Sequence, residues 1–431
     1  MKDHAVLKMY EPLAGDASIP NWQDFISDKS VIRDTVNAEV DRLLRELGLS
    51  VWVTREYKPA QLAWSADERR EGLDRTYRLV FQQDYELPED FVDRLLHLPS
   101  VEMASRLSVG SARLPKPEIS TQASLAPDVG DLIHLRYAQS ITKGERSVRI
   151  AVLDTGLNLS HKELQGKVGA SADFVDLEGL NTSDFIGDVA GYDDVPEDEV
   201  GHGTHVSGIV AGRGIEMNEG VAPGCTIMAV RVLATMKSGT RFVGAGIIDN
   251  INAGIKWAAD NGADVINMSL GIKHTGGGLP HEDVIRYALS KNVTVVAASG
   301  NDGTAERYYP VALPGVIAVG AVDQAGTVAP FTSYGANIAV VAPGVNIYSS
   351  YAHNTYAFAS GTSQASPFVC GMVGLMKSYA RQLGRRLSTS DIRTILRDTS
   401  DKVDTRLRSE HAGYGLINMA DAFKLLAHEL A

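Results

Sequence analysis

Residues 147–154 read SVRIAVLD, an almost continuous aliphatic run that ends on an aspartate. Runs of this kind suit parallel strands that are buried on both faces of a sheet. Similar runs at 226–233, 263–270, 293–299 and 316–323 alternate with segments of helical spacing at 202–212, 244–262 and 282–290. Strand–helix alternation predicts a doubly wound α/β fold, in which helices flank a mostly parallel sheet. Active residues are expected where such strands end.

The first 115 residues follow a different pattern. Apolar runs predict strands, and segments of helical spacing predict helices, in the order βαββαβ. That order is typical of a small ferredoxin-like α+β domain. The predicted strands are 4–10, 50–54, 76–82 and 100–108, and the predicted helices are 31–48 and 87–98. We therefore expect an N-terminal domain over 1–113, a linker rich in proline and small polar residues over 114–130, and a larger domain over 131–431.

The composition argues against some classes of function. Asp and Glu together number 53 against 41 Lys and Arg, a net charge of −12, and no basic run is present. Nucleic acid and anionic membrane are therefore poor candidate partners. No apolar run has the length of a membrane span, and residues 1–22 lack the apolar stretch of a secretory signal. We expect a cytoplasmic protein with free buried thiols at Cys225 and Cys370, or one exported without a recognisable signal.

Polar side chains stand at the predicted ends of core elements. Asp154 follows a buried strand, His202 opens a helix in VGHGTHVSG, and Asn301 follows the strand that ends in VVAASG. Each has an ordinary alternative: a turn aspartate, a structural histidine and a turn asparagine. His202 and His205 could also both bind a metal, but no third His or Cys lies nearby in the sequence, so a zinc site is disfavoured.

Residues 360–371, SGTSQASPFVCG, place three serines before a buried helix. Beyond Pro367 the apolar spacing is helical, and proline fits a helix only near its first turn. Ser363 is therefore predicted at a helix N-terminus, where unpaired N–H groups and the positive end of the dipole favour negative charge. A helix cap is the alternative. A nucleophile, unlike a cap, needs a base and an orienting acid.

The order Asp154, His202, Ser363 is one of the known orders of a catalytic triad. The blocks IAVLDTG, HGTHVSGIVAG and SGTSQASP around these residues resemble the signature blocks of the subtilisin-like serine proteases, the subtilases. The resemblance spans roughly residues 130–425. It implies a subtilisin-like catalytic domain that acts as a serine endopeptidase on protein or peptide substrates. The alternative is a non-catalytic protein that keeps the fold and binds peptides in its groove.

The resemblance also implies a role for each of these residues. Ser363 is the nucleophile, His202 is the general base and Asp154 orients that base, while His205 is a structural neighbour. Asn301 and the backbone N–H of Ser363 form the oxyanion hole. Catalysis by these groups requires no cofactor.

Substrates of the family bind as an added strand beside two enzyme segments. The matching segments of this sequence are Ser269–Leu270–Gly271 and Lys237–Ser238–Gly239. The pocket for the side chain before the cut is expected to be lined by Ala297, Ala298 and Ser299, with Tyr308 at its far end. The resemblance therefore implies a groove for an extended peptide, and the residue preferred before the cut stays open.

A structural calcium site is one interpretation of the loop RGIEMNEG at 213–220. Glu163, Glu216 and Asn218 are its candidate oxygen ligands. The loop lacks the Asn-rich sequence that binds calcium in the family. A solvated acidic loop is therefore the alternative.

The N-terminal domain resembles, in its element order, the propeptide of the family, which assists folding and blocks the groove. On that hypothesis residues 109–116 occupy the groove, the domain is an intramolecular inhibitor, and self-cleavage falls near Arg113. The protein is then made as an autoinhibited zymogen. A permanent N-terminal domain with a separate binding role is the alternative.

Overall fold

The structure is a computed structural model that describes residues 3–27, 33–121, 128–177, 181–239, 241–273 and 279–430. Its N-terminal part contains β1 (His4–Met9), α1 (Trp22–Ser27), α2 (Ala38–Glu46), β2 (Val51–Arg55), α3 (Ala66–Arg70), β3 (Thr76–Phe81), α4 (Phe91–Leu96) and β4 (Val101–Arg106). The strands form one antiparallel sheet in the order β2-β3-β1-β4. The expected βαββαβ order is present, with α1 and α3 as additional helices, and the ferredoxin-like classification stays a prediction.

The remaining elements run from the tail of that domain to the C-terminus. The first group is β5 (Val109–Arg113), β6 (Glu118–Ile119), α5 (Val129–Leu132), α6 (Leu135–Ile141), β7 (Arg149–Asp154), β8 (Val168–Asp173), β9 (Phe185–Ile186), α7 (His202–Ala211), β10 (Thr226–Arg231), β11 (Ala234–Ser238), β12 (Arg241–Ile247), α8 (Ile248–Asp260), β13 (Val265–Met268) and β14 (Ile272–Lys273). The second is α9 (Glu282–Ser290), β15 (Thr294–Ala298), β16 (Tyr308–Tyr309), β17 (Ile317–Val322), β18 (Ile338–Pro343), β19 (Ile347–Tyr351), β20 (Thr355–Ala359), α10 (Thr362–Gln382), α11 (Thr389–Thr399) and α12 (Met419–Leu430).

A parallel sheet of seven described strands forms the centre, in the order β18-β17-β15-β13-β7-β10-β8. Its inner strands β7, β15 and β17 are mostly aliphatic and buried because both faces are covered, whereas the edge strand β8, VGASAD, is only partly buried. Along β7, Ile150 and Val152 pack into the core that includes α7 and α10, while Ala151 and Leu153 pack into the core that includes α8 and α9. The doubly wound α/β prediction is confirmed.

Three segments differ from the sequence prediction. The helix predicted over 31–48 begins only at Ala38, with Asn37 as its N-cap, and Arg33 forms an antiparallel bridge with Val53. Residues 244–247 belong to strand β12 and not to a helix, because they pair with β11 on one side and with β5 on the other. The predicted linker 114–130 contains β6, which pairs with β20, and the start of α5; its residues 122–127 lie outside the described part of the chain, as do residues 31–32 of the first predicted helix. Local patterning does not reveal either strand pairing, since the partners are distant in the chain.

The N-terminal sheet packs on α8 through buried polar contacts. The guanidinium of Arg78, on β3, donates to the side-chain oxygen of Asn250 at 3.3 Å. The Lys256 ammonium lies 2.9 Å from a carboxylate oxygen of Glu68, and both side chains are almost fully buried. Buried charges of this kind need well-placed partners, so these contacts fix one orientation of the two parts.

Cys225 and Cys370 are free and buried, as expected. Among the helices that the structure describes, none combines the length and apolar character needed to cross a membrane.

Candidate active site

Asp154 and His202 meet where β7 ends and α7 begins. The Nδ1 atom of His202 lies 2.6 Å from Oδ1 of Asp154, and the carboxylate is fully buried. The backbone N–H of Thr155 donates to the same oxygen at 2.7 Å. The close approach of α7 to the turn after β7 depends on Gly203, because a Cβ there would lie 2.1 Å from the backbone oxygen of Gly156. A glycine is thus required for the helix start to reach the strand end.

A second carboxylate, Asp198, holds the start of α7. Its Oδ2 accepts from the backbone N–H of Thr204 at 2.8 Å and from the Thr204 hydroxyl at 2.7 Å. Its Oδ1 accepts from the Thr155 hydroxyl at 2.9 Å and from the Gly201 N–H at 2.8 Å. Asp198 therefore ties the helix that carries His202 to the turn that follows Asp154. Nothing in the acidic run at 193–199 predicts this role for Asp198.

These charges set the protonation of the imidazole. Burial of His202 opposes its charged form, but the nearby charge and hydrogen bond of Asp154, with a further contribution from the Asp198 charge, raise its pKa above the ordinary value. His205 behaves in the opposite way, because burial lowers its pKa to about 4. Its Nε2 faces the backbone oxygens of Ile347 and Ala357 at 3.1 and 3.0 Å. His205 is thus bound to the β19–β20 hairpin.

Ser363 is the second residue of α10 and is almost fully buried. Its hydroxyl donates to the backbone oxygen of Ser269 at 3.2 Å, and the Ser269 hydroxyl donates to the backbone oxygen of Ser363 at 3.0 Å. The second contact is possible because Pro367, four residues on, has no N–H for that carbonyl. Pro367 lies one turn deeper in α10 than the sequence predicts. Because it leaves the Ser363 carbonyl free, the hydrogen bond from the Ser269 hydroxyl ties Ser363 to the residue that follows β13.

The hydroxyl of Ser363 donates to Ser269 and makes no hydrogen bond to the imidazole of His202 in this structure. The Nε2 atom of His202 is buried and has no hydrogen-bond partner among the described residues. Helices α7 and α10 pack against each other. Catalytic hydrogen bonds are often open in a structure without substrate and form when one binds.

Asn301 lies beside the start of α10. Its side-chain oxygen accepts from the backbone N–H of Thr362 at 2.8 Å and from the Thr362 hydroxyl at 2.9 Å. These two bonds define which end of the amide is the oxygen and direct the NH₂ group away from Thr362. The sequence prediction named Asn301 and missed the residue that orients it.

A groove of about 870 Å³ runs past Ser363. Its walls include Ser269–Gly271, Ala298, Asn301 and Tyr308. Ala297 and Ser299 were expected to line the groove but are buried beside it. Successive residues of a strand point to opposite faces, so Ala298 faces the groove and its two neighbours face the interior.

The tail of the N-terminal part enters this groove as strand β5. It pairs antiparallel with β12, from Val109 opposite Ile247 to Arg113 opposite Val243. The expected edge at Lys237–Ser238–Gly239 instead closes the β11–β12 hairpin, and the strand next to the tail is β12. Further on, β6 pairs with β20, the strand that precedes α10. The tail thus lies along the groove as β5 and then joins the β19–β20 hairpin.

Two of the three candidate calcium ligands, Glu163 and Glu216, already bind other groups of the protein. The Glu163 carboxylate accepts from the backbone N–H groups of Ile215 and Glu216, the latter at 2.7 Å, and from the Tyr356 hydroxyl at 3.0 Å. The Glu216 carboxylate pairs with the Lys162 ammonium. Hydrogen-bond donors and an ammonium therefore satisfy these two carboxylates without a cation, and a calcium site that includes Asn218 stays a prediction. No group of three or more His, Cys, Asp or Glu suited to a metal occurs in the described residues.

Comparisons with known proteins agree with this geometry. Residues 145–415 match the subtilase family. A thermophilic serine proteinase of Bacillus sp. (strain AK1) is 40% identical over 292 residues, which are 66% of this chain and 64% of that protein. Thermitase of Thermoactinomyces vulgaris is 39% identical over 275 residues, 63% of this chain and 87% of that protein. Among solved structures, the prenylagaramide maturation protease PagA has a TM-score of 0.55 and 27% identity, covering 68% of this chain and 98% of that one.

Proposed function

Because this chain belongs to the subtilase family of serine endopeptidases, we propose that Asp154, His202 and Ser363 hydrolyse peptide bonds in protein substrates. The observation that carries the proposal is the 2.6 Å contact between His202 Nδ1 and the buried Asp154 carboxylate. That contact fixes the proton on Nδ1, so that Nε2 is left as the base. Ser363 lies at the N-terminus of a helix packed against the helix of His202.

The chemistry proceeds in two halves. When a peptide binds, the Ser363 hydroxyl leaves the Ser269 oxygen and turns to Nε2 of His202, which takes its proton as Oγ attacks the peptide carbonyl. Asn301 and the backbone N–H of Ser363 donate to the oxygen that becomes negative. His202 then passes the proton to the leaving amine, and the acyl group stays on Ser363. Water, deprotonated by His202, attacks the ester, the bond between the acyl carbon and Ser363 Oγ breaks, and His202 returns the proton to Oγ as the acid is released.

The N-terminal part, residues 1–113, acts on this site as an intramolecular inhibitor. Strand β5 takes the place of a substrate strand beside β12, as in peptide recognition by strand addition. The segment 114–130 leads from the groove to the catalytic part, 131–431. The buried contacts of Arg78 with Asn250 and of Lys256 with Glu68 support firm binding of the N-terminal part to the catalytic part.

Self-cleavage near Arg113 completes the proposal of a zymogen. Arg113 is the last residue of β5, and Pro115 Cγ lies 3.1 Å from where a Cβ on Gly361, two residues before Ser363, would be. The chain just after Arg113 therefore passes beside the start of α10, which supports cleavage in this segment. Cleavage there would free the N-terminal part from the chain while leaving its fold complete.

The test compares the wild-type chain with Ser363→Ala, both purified at full length. We expect the wild type to react with a fluorophosphonate and to acquire a new N-terminus close to residue 114, while Ser363→Ala does neither. Identical full-length proteins would exclude self-processing at this site. A protein that binds peptides but neither reacts nor cleaves would instead be the non-catalytic peptide-binding alternative.

A further inference from the structure

A polar residue interrupts the aliphatic run of β13. Asn267 is fully buried near the centre of the parallel sheet, on the strand that lies between β7 and β15. Val265, two residues before it, packs into the core that includes α10, and residues two apart on a strand share a face. Asn267 therefore faces α10. A buried amide is costly unless it is hydrogen-bonded, so the partners of Asn267 decide what it can do there.

Both polar atoms of the Asn267 side chain have partners. Its oxygen accepts from the Ser366 hydroxyl at 2.9 Å and from the Cys370 thiol at 3.2 Å, both on α10. Its nitrogen donates to the hydroxyl oxygen of Ser269 at 3.0 Å. All four side chains are buried. Two donors on one side of the amide thus direct its NH₂ group toward Ser269.

The hydrogen bonds continue from Ser269 to the proposed nucleophile. The Ser269 oxygen receives the Asn267 amide, and its own hydrogen goes to the backbone oxygen of Ser363 at 3.0 Å. The hydroxyl oxygens of Ser269 and Ser366 also lie 3.0 Å apart. Without the amide, these two hydroxyls would each lose a partner and could bond each other in either direction. Ser269 would then no longer donate to Ser363 in every molecule.

We propose that Asn267 is a positioning residue of the peptidase, which fixes the Ser269 hydroxyl so that it holds Ser363 in place for attack. The inference rests on the proposed peptidase function. Pro367 cannot donate to the Ser363 carbonyl, and the hydrogen bond from Ser269 takes the place of that helical bond. A small displacement of the attacking atom lowers the reaction rate strongly. Asn267 touches no reacting atom and acts only through Ser269.

The experiment measures kcat and KM of the full-length chain on one peptide, with kcat expressed per Ser363 that a fluorophosphonate labels at completion. Asn267→Leu keeps the approximate size of the side chain and removes the amide, and Ser269→Ala removes the hydroxyl. Each should lower kcat about tenfold with KM nearly unchanged. The double variant should be no slower than the slower single variant, because both changes break the same path. A double variant about a hundredfold slower than wild type would mean that the residues act independently and would overturn the inference.

Cys370→Ala is the milder variant that carries the test where Asn267→Leu does not fold. The printed contact of Cys370 in this network is with Asn267, so its effect on Ser363 must pass through that amide. We expect kcat to fall about threefold in the wild-type background and to stay unchanged in the Ser269→Ala background. Cys370→Ser, which keeps a donor, should retain most of the rate. Equal losses in both backgrounds would overturn the proposed path.

Thr294→Val separates positioning from stability. Thr294 is buried on the neighbouring strand β15, and its hydroxyl lies 2.9 Å from that of Thr389, away from Ser363. The variant should lower the melting temperature without changing kcat. A kcat that falls with the melting temperature in this variant as well would leave Asn267 a purely structural role. A wild-type chain that neither cuts the peptide nor reacts at Ser363 would overturn the proposed function and this inference with it.

Discussion

The side-chain oxygen of Asn301 accepts two hydrogen bonds from Thr362, one from its backbone N–H at 2.8 Å and one from its hydroxyl at 2.9 Å. The same hydroxyl accepts from the backbone N–H of Gly300 at 3.2 Å. Thr362 directly precedes Ser363, so the amide and the serine are positioned by adjacent residues. Preorganisation of this kind removes the cost of turning a donor toward the developing charge during the reaction.

Thr362→Val should therefore impair catalysis although Thr362 touches no reacting atom. Valine keeps the shape and the backbone N–H but loses the hydroxyl, which leaves the Asn301 amide freer to rotate. We expect kcat to fall about tenfold, or ~1.4 kcal/mol of transition-state stabilisation, with KM nearly unchanged. Thr362→Ser, which retains the hydroxyl, is the matched control and should keep most of the rate. A Thr362→Val protein with wild-type kcat would show that the hydrogen bond from the Thr362 hydroxyl to Asn301 is dispensable for catalysis.

Asp198 should control the pH dependence of the reaction. His202 acts as a base only when neutral, and the Asp154 and Asp198 carboxylates raise its pKa against the effect of burial. Asp198→Asn removes one of these negative charges, so the pKa of His202 should fall. The acidic limb of the kcat/KM profile should then move to lower pH.

The control for that variant is Thr204→Val. It breaks a hydrogen bond to Asp198 at 2.7 Å but keeps the carboxylate charge. Both variants should lose about 1–3 kcal/mol of unfolding free energy through unpaired buried groups. Only Asp198→Asn should shift the pH profile. Equal shifts in the two variants would mean that helix position, and not charge, sets the pKa of His202.

The sequence predicted the parts of the site that lie at the ends of regular elements. Asp154 and Ser363 could be found because an aliphatic run stops at the first and a helical pattern starts near the second. Asp198 could not be found in this way. It lies among the acids of DDVPEDE, residues 193–199, and nothing in that pattern separates the one that accepts four buried hydrogen bonds from its neighbours.

Strand pairing is the other feature that the sequence pattern does not predict. The apolar spacing of α8 continues through residues 244–247 and predicts helix there, but pairing with β5 holds them in a strand. Glu118 and Ile119 lie in a proline-rich stretch whose composition predicts a linker, yet they pair with β20. The periodicity of one segment carries no information about a partner far along the chain.

The contact between Gly110 and Ile272 allows the proposed inhibition to be tested. A Cβ at residue 110 would lie 2.5 and 2.6 Å from Cδ1 and Cγ1 of Ile272, so Gly110→Val should push β5 away from Ile272 and out of its place in the groove. On a gel, the full-length band of Gly110→Val should react with a fluorophosphonate at Ser363 roughly tenfold faster than wild type, because ~1.4 kcal/mol of groove contacts is lost. Ile272→Ala creates room, so Gly110→Val/Ile272→Ala should return to slow labelling, and Ile272→Ala alone should stay slow. Labelling of Gly110→Val at the wild-type rate would mean that β5 does not restrict access to Ser363.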